Sequence, residues 1–454
     1  MSQSKRGLAS LWLLALCACG DTTKTSPVQD QAAGTMQPAS MPGCAALELS
    51  SKGAAAVFEI GQTIDSGQEL EVCALYQVGP QDIWLNSTDT VLSKGTHHGL
   101  LWLTDYDTLP DKDRQGDPIA VGKVVPCESA ATGRFSVIRP LAGSQGVSNI
   151  TAPGVFPSDV AERIPANSYV VMNLHMLNTT DAPLDACMKA SVNAIPKEQV
   201  AQQAGVLFFY NPSITVPANS KAEARMACPI TQDIMLRTSV SHMHARGVGY
   251  HASWLDGSPF ASGTSEVQKL YETTSWDSPS DMIWPEPLQL KAGSFIDYTC
   301  QYENPEARDV AQGYDTTDEM CMFTGAYWPF DASMSFCGGG SPSFPIGSGT
   351  TDGAGFMNCF LTQSQRRGAT EQCGSDGCTD YAARVAFQSC FTDACPAVGE
   401  FAGPYFGCVR KNSSACKTQC SDAGHANDTG CLLSCVNGDK CKDLADSLSA
   451  TKCD

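Results

Sequence analysis

Twenty-two cysteines stand in a chain of 454 residues, and they constrain the fold more than any other feature. A reducing cytoplasm does not favour so many thiols in an ordinary protein. Their number points to disulfides formed in an oxidising compartment. Setting aside Cys17 and Cys19 near the start leaves twenty, an even number. No CxxC pairs of zinc-ribbon spacing occur, so a structural zinc site is not expected. The cysteines are unevenly spread. Cys44, Cys73, Cys127 and Cys187 fall in one stretch, Cys228, Cys300, Cys321 and Cys337 in a second, and twelve crowd into residues 356–454.

The N-terminus fits an exported protein. "MSQSKRGLASLWLLALCACGD" has a basic start (Lys5, Arg6) and then an apolar run too short to span a bilayer, which reads as a secretory signal. "LCAC" at 16–19 resembles a bacterial lipobox, with Leu16 three positions before Cys19 and small Ala18 just before it. Cys19 is therefore the expected lipid acceptor, and 1–19 the signal peptide. The mature chain is expected in a bacterial cell envelope, anchored to the membrane by lipid and facing the periplasm or cell surface. Residues 20–42 are small, polar and Pro-containing, which suits a flexible tether. The net charge of -19 excludes a nucleic-acid partner, because a phosphate binder needs a basic face.

From 43 onward the texture is that of short strands. "ELEVCALYQV", "YVVMNLHMLN" and "LQLKAGSFIDYTCQYEN" alternate or run apolar in short pieces, with Gly, Pro, Asn and Asp between them. Two consecutive all-β units are expected, 43–197 and 198–340, each an antiparallel, jelly-roll-like sandwich. A Gly/Ser/Thr-rich linker at 341–355 precedes a cysteine-rich module at 356–454. There Cys416 and Cys420, and Cys431 and Cys435, are spaced i, i+4, which places each pair on one helix face. This is expected to be a small helical module held by about six disulfides, since its core is too thin to stand alone. Its pairing does not follow from the sequence.

Chemistry is concentrated in histidine. The chain has seven, and five lie in three strand-like segments: "KGTHHGLLWL" (His97, His98), "VVMNLHMLNTT" (His175) and "SVSHMHARGVG" (His242, His244). In a strand, i and i+2 point to the same face, so His242 and His244 can share one ion while Met243 points away. Adjacent His97 and His98 can do so only at a bulge or strand end, and Gly99 eases such a distortion. His251 reads as a plain strand histidine, and His425, in a Gly/Asn/Asp loop, as solvated. Arg246, just past the His-x-His, reads as a surface salt-bridge partner.

The order "HHGLL", "NLH", "SHMH" and then "DEMC" at 318–321 resembles the copper type II, ascorbate-dependent monooxygenases over roughly residues 43–340. The resemblance implies one copper held by His97, His98 and His175, and a second by His242, His244 and Met320. It implies that the second copper binds O2 and supports hydrogen abstraction, and that the first stores and delivers an electron from ascorbate or another reductant. Neutral imidazoles with a soft thioether suit an ion cycling between Cu(I) and Cu(II). The resemblance also implies the pairs Cys44–Cys187, Cys73–Cys127, Cys228–Cys337 and Cys300–Cys321, which use every cysteine from 44 to 337.

Departures bear on the substrate. Where the peptide-amidating members hold a carboxylate with Arg, Asn and Tyr, this chain has Val240, Met322 and Thr324, and the family's Gln before the third histidine is Asn173. A less polar small-molecule substrate is therefore expected, hydroxylated at an activated C–H. Two other readings stay open: an envelope lipoprotein that binds copper without turnover, and a surface protein that meets a protein partner through the cysteine-rich module.

Overall fold

The computed structural model describes residues 41–50, 54–127, 131–145, 148–149, 155–337, 344–370, 373–374, 377–378, 381–422, 431 and 434–453. The expected signal peptide with Cys19, nearly all of the tether, and His425 lie outside the described residues. Among the described residues no helix is long and apolar enough to cross a membrane.

The first unit runs through β1 (Ala56–Ile64), β2 (Glu69–Gln77), β3 (Ile83–Leu92), β4 (Thr96–Thr104), β5 (Val124–Pro126), β6 (Val137–Gln145), β7 (Ser148–Asn149), β8 (Val160–Ile164), β9 (Tyr169–Leu177), β10 (Leu184–Ala194) and the short β11 (Gln202–Gln203). Two sheets result, ordered β1-β10-β3-β8-β11 and β5-β2-β9-β4-β6-β7. The second unit follows with β12 (Gly205–Tyr210), β13 (Thr215–Val216), β14 (Ser220–Pro229), β15 (Ile234–Met243), β16 (Gly247–Leu255), β17 (Glu266–Thr273), β18 (Met282–Leu290), β19 (Phe295–Asn304), β20 (Val310–Ala311), β21 (Cys321–Trp328) and β22 (Phe344–Ile346). Its main sheets are β12-β21-β15-β18 and β17-β16-β19-β14-β22. Between these strands pairing is antiparallel except for β11 with β8. Each unit buries its own apolar cluster.

One sheet explains where a site can form. In β9, Val170, Met172, Leu174 and Met176 enter the first core. The alternate residues Tyr169 and Val171 join a separate cluster with Trp102, Phe208 and Phe336, the last two from the second unit. The six-stranded sheet is thus covered on both faces, which is why β9 reads as a continuous apolar run rather than an alternation. Trp102 meets Phe208 edge-on at 4.9 Å and stacks on Phe336 at 6.4 Å. Asn173 and His175 share the outward face with Val171 by the two-residue period, so the strand carries polar groups into the seam between the units.

Disulfides join Cys44 to Cys187 and Cys73 to Cys127 in the first unit, and Cys228 to Cys337 and Cys300 to Cys321 in the second. The C-terminal region is helical, with helices Gly353–Thr370, Tyr381–Thr392, Pro396–Asp422 and Lys442–Ala450. The two i, i+4 cysteine pairs bond to each other, as Cys416–Cys435 and Cys420–Cys431. Three further bridges, Cys359–Cys390, Cys395–Cys453 and Cys408–Cys441, tie the helices together. Of the stretch expected as a linker, residues 344–355 are described and pack against the fold. β22 pairs with β14 at the sheet edge, and a Cβ on Gly347 or Gly349 would meet the carbonyls of Ala394 or Asp393 at 2.0 and 2.1 Å. Glycine there serves close backbone approach rather than freedom.

Gly99 serves the same end beside the histidines. A Cβ at this position would meet the Met188 sulfur at 2.2 Å and the Asn173 carbonyl at 3.2 Å. Gly99→Ala is expected to cost about 1–3 kcal/mol by overpacking, read as a lowered midpoint in urea unfolding of the metal-free chain.

Candidate metal centre

The β4–β9 register slips between Thr96 and His98: Thr96 faces Met176, and His98 faces His175. His97 is the extra residue of this bulge, and the slip lets two adjacent side chains turn towards one neighbourhood. Ring centroids of His97 and His98 lie 5.1 Å apart, and those of His175 lie 5.4 and 4.9 Å from them. One nitrogen from each of the three falls within 4.8 Å of the other two.

His242 lies near the end of β15 and His244 just beyond it, with centroids 5.2 Å apart. His242 faces Met322 across β15 and β21, so the two share a face of that sheet. From the same face of β21, Ala326 and Trp328 reach the first core, while Cys321, Phe323 and Tyr327 belong to the second. His242 therefore looks towards the first unit, and its centroid lies 5.1 Å from His98 and 6.0 Å from His97. The structure thus brings all five histidines into one cluster in the seam. His251 stays outside it, exposed on β16.

Met320 is buried immediately before β21. Met243 pairs with Cys321, so the next step of that register sets Met320 opposite His244. Its backbone is held on three sides. Tyr302 donates its hydroxyl to the Met320 carbonyl at 2.7 Å, and Cys321 is bridged to Cys300. Glu319, wholly buried, accepts the backbone N–H groups of His244 at 3.2 Å and Arg246 at 2.8 Å. Burial pushes the Glu319 carboxyl up to about 7, against the pull of those N–H groups and of the Arg246 cation. Arg246 corrects an expectation: it is 7% exposed, paired with Glu306 and Glu319, and not a surface bridge. The charge is drawn inward because Glu319 needs a countercharge.

Three supporting groups were not singled out from the sequence. Glu69 accepts from His175 Nε2 at 2.7 Å. Gln145 offers its Oε1 to His242 Nδ1 at 2.7 Å and donates to the Trp276 carbonyl at 2.8 Å. Glu319 stands inside "DEMC", where the resemblance gives roles to the methionine and the cysteine alone. Glu69 had a faint signal, since Glu69 and Glu71 share a strand face with Cys73 and Leu75, which are buried. Gln145 had none. Asn173 is tied up, accepting from Trp102 Nε1 at 2.8 Å and donating to Glu71 at 2.6 Å.

The electrostatics suit a metal. Burial first, then the neighbouring imidazoles, holds His97 down at about 4 and His98 and His242 well below the ordinary range. His244 is held at about 3 for the same reasons. Burial pushes Glu69 up, but its bonds from His175 and Thr316 outweigh this and leave it at about 2. Neutral imidazoles beside ionised Glu69 have lone pairs to give. His97 Nε2, His98 Nδ1 and His244 Nε2 are buried without a hydrogen-bond partner. Such orphaned nitrogens, with a thioether nearby in the chain, fit a copper-type donor set.

Taken together, fold and site define a disulfide-braced pair of β-sandwiches with an imidazole cluster in the seam. Residues 202–343, nearly the whole second unit, match the model of the copper type II ascorbate-dependent monooxygenase C-terminal domain. Among solved structures, one described as the infectious bursal disease virus Gx strain shares 9% identity over 62% of this chain and 74% of that chain, at a TM-score of 0.13. Another, of the Gt strain, shares 10% over 64% and 80%, at a TM-score of 0.12. At such scores neither likeness bears on fold or function.

Two outcomes follow. Glu319→Ala takes one of two carboxylates from Arg246 and the acceptor from two buried backbone N–H groups, so it is expected to destabilise the chain by about 2–4 kcal/mol in urea unfolding. In the metal-free chain, the unfolded histidines take up protons below the ordinary 6.5, while His97 and His244 in the fold resist to about 4 and 3. Stability should therefore fall as pH drops from 6.5 towards 4. Glu319 opposes this between about 7 and 4.5, since its raised value favours the fold as it protonates. Glu162, raised to about 8 by burial, and Asp393, raised by burial, oppose it in the same way. Four lowered imidazoles against three raised carboxyls set the sign, and a His97→Ala, His244→Ala double variant should flatten the slope.

Proposed function

We propose that the chain is a copper-dependent monooxygenase that hydroxylates an activated C–H of a small, weakly polar substrate. The overall change is R–H + O2 + two electrons + two protons to R–OH + H2O, with ascorbate or another one-electron reductant as donor. The observation that carries this reading is the meeting of five histidines from distant segments, in the seam beside a unit that matches a copper monooxygenase domain. In the proposal His97, His98 and His175 hold one copper, and His242, His244 and Met320 a second. Bound copper supplies one-electron chemistry and O2 activation.

The remaining work falls to the chain. Glu69 and Gln145 fix the orientation of His175 and His242 by a hydrogen bond to one ring nitrogen of each, His175 Nε2 and His242 Nδ1. The Trp102, Phe208 and Phe336 contact keeps water from one end of the seam. Val240 and Thr324 face each other across β15 and β21, two pairs along from His242 and Met322, with Ser241 and Phe323 between. No charge stands at these positions, and Arg246 is already committed to Glu306 and Glu319. An uncharged substrate is the one this surface accepts without a desolvated, unpaired ion. Lipid anchorage at Cys19 in a bacterial envelope, periplasmic or surface-facing, belongs to the same proposal. A protein partner for the cysteine-rich module does not enter it.

The test is copper reconstitution of the full chain, followed by ascorbate-driven O2 uptake across a panel of neutral substrates. Two coppers per chain are expected, falling to one in His242→Ala or Met320→Ala. Copper bound with no O2 uptake would leave a copper-holding protein, and no binding at all would sink the reading.

A further inference from the structure

We infer that Glu69 is a positioning residue for both halves of the site at once, tying His175 to the loop that carries Met320. The inference rests on the copper reading above and deepens it. Glu69 sits at the start of β2 in the first unit. Its Oε1 accepts from His175 Nε2 at 2.7 Å and from the Thr316 backbone N–H at 2.9 Å. Its Oε2 accepts the Thr316 hydroxyl at 2.8 Å. Thr316 lies 247 residues away in sequence, in the second unit, and four residues before Met320. Both carboxylate oxygens are therefore in use, one shared between the two units.

The loop beyond Thr316 is short and closed. Glu319 donates its N–H to Ala311 at 3.0 Å, and Gly313 donates to the Glu319 carbonyl at 3.1 Å. Asp318 donates its N–H to Asp315 at 2.9 Å, so the tip is folded on itself. A loop pinned at its base, and at Thr316 by Glu69, has little freedom left for Met320. The same carboxylate fixes the His175 ring, because it accepts the Nε2–H hydrogen bond and so leaves Nδ1 as the nitrogen with a lone pair to give. Moving Glu69 thus moves a histidine of one site and the methionine of the other. An ordinary ion pair across the seam would add stability without this link.

Spacing makes the requirement specific. Aspartate is shorter by one methylene, about 1.5 Å, and cannot keep contacts of 2.7 and 2.8 Å on both partners. Alanine keeps neither. Thr316→Val removes the hydroxyl bond and leaves the contact with His175 in place.

The experiment uses the full chain loaded with Cu(I). Chelator competition reads the affinity of each site, and the copper–sulfur signal in X-ray absorption reads Met320. Glu69→Ala is expected to weaken the first site roughly 10- to 100-fold and to diminish the copper–sulfur signal in the same sample. Thr316→Val should diminish that signal while first-site affinity stays at the parent value. If Glu69→Ala fails to fold, the near-isosteric Thr316→Val still decides. A copper–sulfur signal unchanged in either variant overturns the inference alone, provided the parent binds two coppers. A parent that takes up no copper overturns the metal reading and this inference with it.

Discussion

Keeping five imidazoles together in a seam between two sandwiches is the constraint on which the rest depends. Three of their nitrogens are buried without a partner, and each such group costs about 1–3 kcal/mol. The fold must hold that cluster against both hydration and protonation. It does so with apolar contact at one end of the seam, where Trp102 meets Phe208 and Phe336. Polar bracing acts at the cluster itself. The four disulfides from Cys44 to Cys337 all lie within one unit or the other. They stiffen each half but do not cross the seam, so the approach of the two histidine groups is set by non-covalent contacts alone.

Polar contacts from all sides also meet at residues 312–320. At the base, Gln312 donates its N–H to Gln388 Oε1 at 2.7 Å, and Gln388 returns a bond to the Gln312 carbonyl at 3.3 Å. Gln388 belongs to helix Tyr381–Thr392 and is itself buried, so the cysteine-rich module packs against the root of this loop. Inside the loop, Glu319 binds the chain just after His242. At its far side Thr316 meets Glu69. All three parts of the protein thus touch one segment of nine residues. The module's five described disulfides gain a local reason here, because a clamp must be stiffer than what it holds.

Much of this was legible in the sequence, and for physical reasons. Short apolar pieces with turn residues between them gave the β units, because period and punctuation are local properties. The bulge at His97 could be argued from two adjacent histidines before Gly99, though the structure shows Gly99 answering to Met188 and Asn173 rather than to backbone freedom. The grouping of five histidines across two units was not a local property. The resemblance implied two ligand sets, one per unit, and nothing in "SHMH" says which sheet faces it or that the two sets meet. Glu69, Gln145 and Arg246 were missed or misjudged for a related reason. A single polar residue in a strand looks solvated until a second layer covers it, and here that layer comes from another unit. Gly347 and Gly349, in the stretch expected as a linker, serve close backbone approach; glycine also marks flexible chain, and composition does not separate the two.

Charge placement also bears on what the seam can accept. A buried cation beside the cluster would recommend an anionic substrate, and Arg246 is the cation closest in sequence to the His-x-His pair. It is consumed: Glu319 needs it inside the loop, and Glu306 takes its other face. Freeing it for a ligand would leave Glu319 buried without a countercharge, so holding the Met320 loop and binding an anion compete for one guanidinium. The net charge of -19 adds a long-range bias against anions. A neutral surface of Val240 and Thr324 is consistent with that bias, and with a loop whose cation is spent on its own geometry.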